Sequence, residues 1–203
     1  VVAGSFSFLA RRNGVKTVLQ MHGIEWQRER WGKFGSFCLK QLERLSIHQG
    51  NHAFTAVSKK QCAYFNDHYG CDMEYIPTAT PIKPKLRAER ICSYGLRPAG
   101  YILFASRLVR EKGAHLLIQA FKGLPTDKKL VLAGNAPCTC GYKEELMSLA
   151  GSDSRIIFTG QVEGALLEEL FSNAYLFVQP SLIEGLSIAV LEAMSYGNGC
   201  LTS

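Results

Sequence analysis

No apolar run in this chain of 203 residues reaches bilayer length, so no membrane-spanning helix is expected; a span takes about 20 apolar residues. The apolar opening, residues 1–9, has no basic stretch before it and no clean cleavage site after it, which speaks against a secretory leader. An initiator methionine is missing as well. The chain opens on Val1-Val2-Ala3-Gly4 in mid-pattern and is expected to be cut from something longer. A regular cysteine framework is also lacking. The seven cysteines, at 38, 62, 71, 92, 138, 140 and 200, are odd in number and irregular in spacing, which fits reduced thiols in the cytoplasm better than disulfides. Cys138-Thr139-Cys140 is the one close pair. With no second pair and no histidine nearby, it reads as two incidental thiols in a loop, not as half a metal site.

What is present is ordinary globular material, 47% hydrophobic and 20% charged, enough for one large domain or two small ones. The charge is uneven. Residues 1–98 carry 15 Lys and Arg against 7 Asp and Glu, hence +8; residues 99–203 carry 8 against 10, hence −2. The basic first half is expected to meet something anionic, a membrane surface or a lipid-diphosphate acceptor. A solvated basic face with no partner explains the same count.

The second half alternates short, nearly continuous apolar runs with helical periodicity. Strands are expected at 101–105, 130–133, 155–159, 176–179 and 200–202, each apolar enough to be buried on both faces. Helices are expected at 114–121, 142–150, 165–173 and 187–196. Strand, helix, strand at this spacing implies right-handed crossovers and a parallel sheet, a Rossmann-like doubly wound domain. The first half repeats the theme less completely. Strands are expected at 16–21, 53–57 and 74–76, with a long helix over 27–48 and another over 59–69 capped by Ser58. Residues 81–98 hold prolines at 81, 84 and 98, many charges and little periodicity, and read as a linker. The expected division is therefore 1–80, linker 81–98, and 99–203, with both ends incomplete. Such a piece is expected to be catalytically inert alone and to expose apolar sheet surface.

Candidate chemistry gathers at strand ends. In an open parallel sheet, ligands bind outside the carboxyl ends of the strands. Ser106-Arg107-Leu108-Val109-Arg110-Glu111-Lys112-Gly113 follows one strand, so Arg107 and Lys112 are candidate phosphate ligands. Each alone also reads as a solvated loop cation. Gly134, after the next strand, and Gly160, just before Val162, mark places where backbone can approach a ligand, or are plain turn residues. Pro180-Ser181-Leu182-Ile183-Glu184-Gly185-Leu186-Ser187 ends a fourth strand and opens a helix. The N–H groups of Gly185, Leu186 and Ser187 would make an anion site at that helix start. Glu184 precedes the helix. Glu192 lies about one and a half turns in, off the face expected to be core at Ile188 and Leu191. Either carboxylate suits adjacent sugar hydroxyls, and either also reads as an exposed helix-end acid.

The run Glu184-Gly-Leu-Ser-Ile-Ala-Val-Leu-Glu192 is similar to the Glu-x7-Glu motif of retaining glycosyltransferases of the GT-B fold, the large family 4 or group 1. The Ser-Arg-x4-Lys-Gly segment, the Ala-Gly and Phe-Thr-Gly turns, Ala56-Val57-Ser58 and Tyr75-Ile76-Pro77 resemble it too, so the likeness spans nearly the whole chain. The resemblance implies an α/β fold of two Rossmann-like doubly wound domains facing across a cleft, the first incomplete here. It implies a nucleotide-sugar donor, transfer with retention to a growing polysaccharide or lipid-linked glycan, no metal and no other cofactor. It also implies roles. Arg107 and Lys112 neutralise the departing diphosphate, and Glu192 holds the ribose. Glu184 contacts the transferred sugar, the amides of Gly185 to Ser187 bind donor sugar or phosphate, the backbone near Val162 meets the base, and His22 contacts the sugar. His22 otherwise reads as a turn histidine beside Gly23. The absence of Asp-x-Asp, the metal–nucleotide clamp of the other major glycosyltransferase fold, agrees. The segment from His22 through Ile24-Glu25-Trp26 to Trp31 resembles one in bacterial polysaccharide transferases, rhamnosyltransferases among them; packed tryptophans at a helix start are the plainer reading. Pro77-Thr78-Ala79 departs from the family's Pro-Asn-Gly and puts a tight turn there in doubt. Two other readings of the chain stand beside this one: a nucleotide-sugar epimerase of the same fold, for which no extra cluster of carboxylates and histidines is seen, and a chain that only binds a sugar nucleotide.

Overall fold

The computed structural model describes residues 3–27, 31–49, 51–136 and 141–203. Cys138-Thr139-Cys140 and the Arg28–Arg30 part of the tryptophan segment lie outside them. The chain forms two compact units: residues up to Thr78 with the loop Glu184–Leu186, and Ala79–Ile183 with Ser187–Ser203.

The second unit is built on five parallel strands, β4 (Tyr101–Ala105), β5 (Lys129–Ala133), β6 (Ile156–Gly160), β7 (Leu176–Gln179) and β8 (Gly199–Thr202), in the order β6-β5-β4-β7-β8. The continuous apolar run of β4 has a direct cause. Ile102 and Phe104 face one core with α4 (Ala114–Lys122) and α5 (Tyr142–Ala150). Tyr101, Leu103 and Ala105 face a second core with α6 (Gly164–Asn173) and α7 (Ile188–Ser195). Every β4 residue is thus buried, as period-2 alternation requires of a central strand covered on both sides. The Tyr101 hydroxyl, taken into this core, donates to the Leu170 carbonyl at 2.7 Å, which meets the need of a buried polar atom for a partner.

Residues 81–98, expected as a linker, pack on the second unit. Ile91 and Leu96 are buried in the core beneath α6, and residues 90–94 form a short 3-10 helix. Glu169 on α6 accepts the N–H groups of Glu89, Arg90 and Ile91. Ser172 and Asn173 bond the backbone of Leu86. The prolines and charges hid this because the segment is anchored by side chains of distant elements, not by a repeat of its own.

In the first unit β1 (Val18–Met21), β2 (Ala53–Ala56) and β3 (Met73–Tyr75) are parallel, in that order. α1 (Ser7–Arg12), a helix the sequence did not suggest, precedes them. The long helix begins later than expected, as α2 (Gly32–His48), with a 3-10 turn at Glu25–Gln27 before it. Gly32 has φ 57°, outside the right-handed region, so a helix cannot run through it from residue 27. α3 (Lys59–Tyr69) is capped as expected: Ser58 Oγ accepts from Gln61 N–H at 3.3 Å, and Gly70 closes the helix at φ 61°. Val18 on β1 is 65% exposed, and Leu201 on β8 in the second unit is 59% exposed.

Candidate functional site

The strand order of the second unit reverses at β4. From there the chain moves outward through β5 and β6 on one side, then through β7 and β8 on the other. The loops after β4 and β7 therefore diverge, and an open parallel sheet has its ligand crevice at such a point. These two loops are tied to each other. Gly113, at φ 71°, lies so close to the β7 loop that a Cβ on it would stand 1.9 Å from the Pro180 carbonyl oxygen, and Leu182 N–H donates to Glu111 O at 2.8 Å.

A cavity of about 410 Å³ opens here. Arg107 from the β4 loop, Gly134 and Asn135 from the β5 loop, Val162 from the β6 loop and Glu192 from α7 line it. Four of the residues singled out in the sequence (Arg107, Gly134, Val162 and Glu192) thus meet around one space. Gly134 has a steric reason to be glycine: its φ is 147°, and a Cβ would lie 1.9 Å from the Ser106 carbonyl oxygen. Ser106 N–H donates to Ala133 O, and Leu108 N–H to Asn135 O, each at 3.0 Å. The two loops are therefore fixed together, and the Arg107 backbone with them.

The three cations of the β4 loop separate. Arg107 is exposed, lines the cavity and has no carboxylate partner among the described residues. Arg110 pairs with Glu145 and stacks over the Tyr142 ring at 5.3 Å, both on α5. Lys112 ends the 3-10 turn Arg110–Lys112 and is not among the cavity-lining residues.

At the end of β7, buried Gln179 donates to Ser181 Oγ at 3.0 Å and accepts from Ser187 Oγ at 2.7 Å. Ser187 caps α7 by accepting from Val190 N–H at 3.4 Å. This network sets where α7 starts, and so where Glu192 sits. The helix turns a different face inward than expected. Ala193 and Tyr196 are buried and Ala189 and Val190 pack beside them, whereas Ile188 is 64% exposed. Residues 189, 193 and 196 share a stripe at helical spacing, and small alanines let α7 approach the sheet. Glu192 carries a partner that sequence reading missed. Lys83 Nζ lies 3.4 Å from its Oε1 and 3.1 Å from Glu168 Oε1. Nothing local in the sequence pairs residue 83 with residue 192.

Glu184, Gly185 and Leu186 are not among the cavity residues and group with the first unit. There a Cβ on Gly185 would lie 2.5 Å from the His22 carbonyl oxygen and 2.5 Å from Gln61 Nε2. His22 follows β1 directly, as expected. Ser187 contributes to the second unit through its cap.

The second unit is a doubly wound α/β domain with a cation, a carboxylate and strand-end backbone around one crevice at its switch point. The chain belongs to the group 1 glycosyl transferases: residues 97–203 match the model of that family. It is 34% identical over 213 aligned positions to an alpha-maltose-1-phosphate synthase of Mycolicibacterium smegmatis, covering 94% of this chain and 54% of that protein. It is 29% identical over 131 positions to O-antigen chain mannosyltransferase B of Escherichia coli, covering 63% of this chain and 33% of that one. Among solved structures, HepE of Anabaena in complex with UDP and glucose superposes with a TM-score of 0.79 at 22% identity, over 99% of this chain and 55% of that one. The chain thus spans about half or less of the length of these relatives. The expected GT-B class, with parallel sheets in both units, is borne out at the level of fold.

Proposed function

We propose that the protein transfers a sugar from a nucleotide-sugar donor, with retention, to a growing polysaccharide or lipid-linked glycan. The observation that carries this reading is the switch-point cavity that joins Arg107 to Glu192 with strand-end backbone between them. A departing diphosphate accumulates negative charge as the glycosidic bond breaks. Fixed cations at that position lower the barrier because they stabilise the more highly charged departing diphosphate more than the less charged diphosphate of the intact donor. Arg107, exposed and without a carboxylate partner among the described residues, takes this role, with Lys112 from the same loop as second cation. Glu192 accepts from the ribose hydroxyls, and Val162 backbone meets the base. Glu184, the amides of Gly185 to Ser187, and His22 serve the transferred sugar. In this reading the donor charge is met by side chains, and neither metal nor other cofactor takes part. The UDP and glucose held by the Anabaena relative and the O-antigen chain in the name of the Escherichia coli relative support the donor and acceptor classes.

The same reading places the protein in the cytoplasm, at the inner face of the membrane. Phe34 and Phe37 on α2 are 81% and 60% exposed beside the exposed cations Lys33, Lys40 and Arg44, a combination suited to an anionic lipid surface. Among the described residues no helix is long and apolar enough to cross a membrane.

The test is a donor panel offered to the full-length protein, with nucleoside diphosphate release measured with and without glycan acceptors. Acceptor-dependent release with the anomeric configuration kept supports the proposal, and Glu184→Ala is expected to abolish it. Sugar interconversion in the absence of acceptor would instead make the protein an epimerase.

A further inference from the structure

We infer that Lys83 is a positioning residue for ribose recognition: it holds the Glu192 carboxylate at the cavity from the segment that follows the first unit. This rests on the reading of Glu192 as the ribose-binding acid. Lys83 is itself held at several points. Its N–H donates to the Ser195 carbonyl at 3.0 Å, at the last turn of α7. Its ammonium lies between Glu168 and Glu192 and 5.4 Å from the Tyr196 ring centre. Ser195 Oγ in turn donates to the Glu192 carbonyl at 2.7 Å. Backbone and side chain of Lys83 therefore grip the same helix on which Glu192 stands.

The division of labour follows from the geometry. Glu192 lines the cavity and Lys83 does not. Glu168, with the shorter contact, is the anchor for the ammonium; its hydrogen bond is the main reason the lysine pKa is pushed up. Lys83 occupies Oε1 of Glu192. A carboxylate offers about four lone-pair sites over two oxygens, so Oε2 and the free side of Oε1 remain for a vicinal diol. A glutamate side chain has three rotatable bonds, and ordering it at the moment of binding weakens the complex. A cation that fixes the carboxylate beforehand removes that cost, as partners behind metal ligands do. An ordinary half-exposed ion pair would add a little stability and nothing to recognition.

The two accounts differ in whether Lys83 affects the ribose diol alone. With full-length protein, affinities for UDP and for 2′,3′-dideoxy-UDP are measured by calorimetry for wild type, Lys83→Met, Lys83→Arg and Glu192→Gln. Wild type is expected to prefer the diol by about tenfold or more. Lys83→Met is expected to lose most of that preference, with UDP weakened about five- to tenfold and the dideoxy analogue changed by less than about twofold. Lys83→Arg restores the preference, because a cation returns to the same place. If Lys83→Met keeps the wild-type preference, or weakens both ligands alike, Lys83 does not position Glu192, and the donor-site reading survives. If wild type and Glu192→Gln both bind the two ligands equally, the ribose role of Glu192 falls, and this inference with it. GDP and its dideoxy analogue serve if UDP does not bind; binding of neither by wild type overturns the donor site itself and the role of Lys83.

Discussion

Arg90 donates to Glu169 Oε1 at 2.7 Å, while Glu169 Oε2 accepts three consecutive backbone N–H groups, those of Glu89, Arg90 and Ile91, at 3.0, 2.6 and 3.3 Å. One buried carboxylate on α6 thereby anchors a segment some eighty residues earlier in the chain.

Burial works against ionisation of Glu169, but Arg90 and the three amides outweigh it and hold the carboxyl below its ordinary pKa. A depressed folded-state pKa contributes stability above the ordinary carboxylate range and loses it as pH falls through the folded value. Thermal unfolding of the wild type should therefore shift to lower temperature from about pH 5 downward. Glu169→Gln should start lower and change less over that window, as read by calorimetry across pH.

Glu43 on α2 has the opposite sign. It is fully buried, accepts from Tyr69 at 2.8 Å and Trp26 at 3.2 Å through Oε1, and has no partner on Oε2 among the described residues. Burial raises its pKa, and the two hydrogen bonds only partly offset this. Its contribution is complete below the ordinary carboxylate value and is lost as pH rises through the raised one. Glu43→Gln should flatten the decline in stability on going from acid toward neutral pH. Denaturant titrations at several pH values check it.

Gly134→Ala should destabilise the protein by about 1–3 kcal/mol from backbone strain alone. The Ser106 carbonyl oxygen, 1.9 Å from the added Cβ, must also move. Because Ser106 leads into Arg107, nucleotide affinity should fall along with stability. Gly23→Ala is the comparison: nothing lies within 4 Å of its Cβ position, and it should change stability little. Unfolding curves and nucleotide titrations of the two variants are compared.

On the proposed function, Arg107→Ala in the full-length protein should lower kcat/KM by roughly 100-fold or more, the scale of losing one fixed group that stabilises developing charge. Arg110→Ala, only three positions along in sequence but committed to Glu145 and Tyr142 on α5, should leave turnover near wild type and cost about 1 kcal/mol or less. Steady-state kinetics and thermal unfolding separate the two.

The strands and helices of the second unit were legible because each side chain there answers to a local period. β4, β7 and α5 begin and end where composition and caps place them, as does α3 in the first unit. The start of α2 was missed because a glycine at φ 57° carries no mark of its backbone angle. The inward face of α7 was misjudged because Ile188 is more apolar than Ala189. Yet approach to the sheet favours the small residue, and Ile188 is left outside.

By itself the sequence determined the αβ alternation, the parallel sheets and the motif Glu184 to Glu192, since periodicity, caps and spacing are properties of neighbours along the chain. Tertiary structure decided the rest. It separated Arg107 at the cavity from Arg110 on α5, attached residues 81–98 to α6, and set Lys83 beside Glu192. Those relationships join residues from 35 to 109 positions apart, and only the strand order, with its reversal at β4, brings such residues within reach of each other's charge.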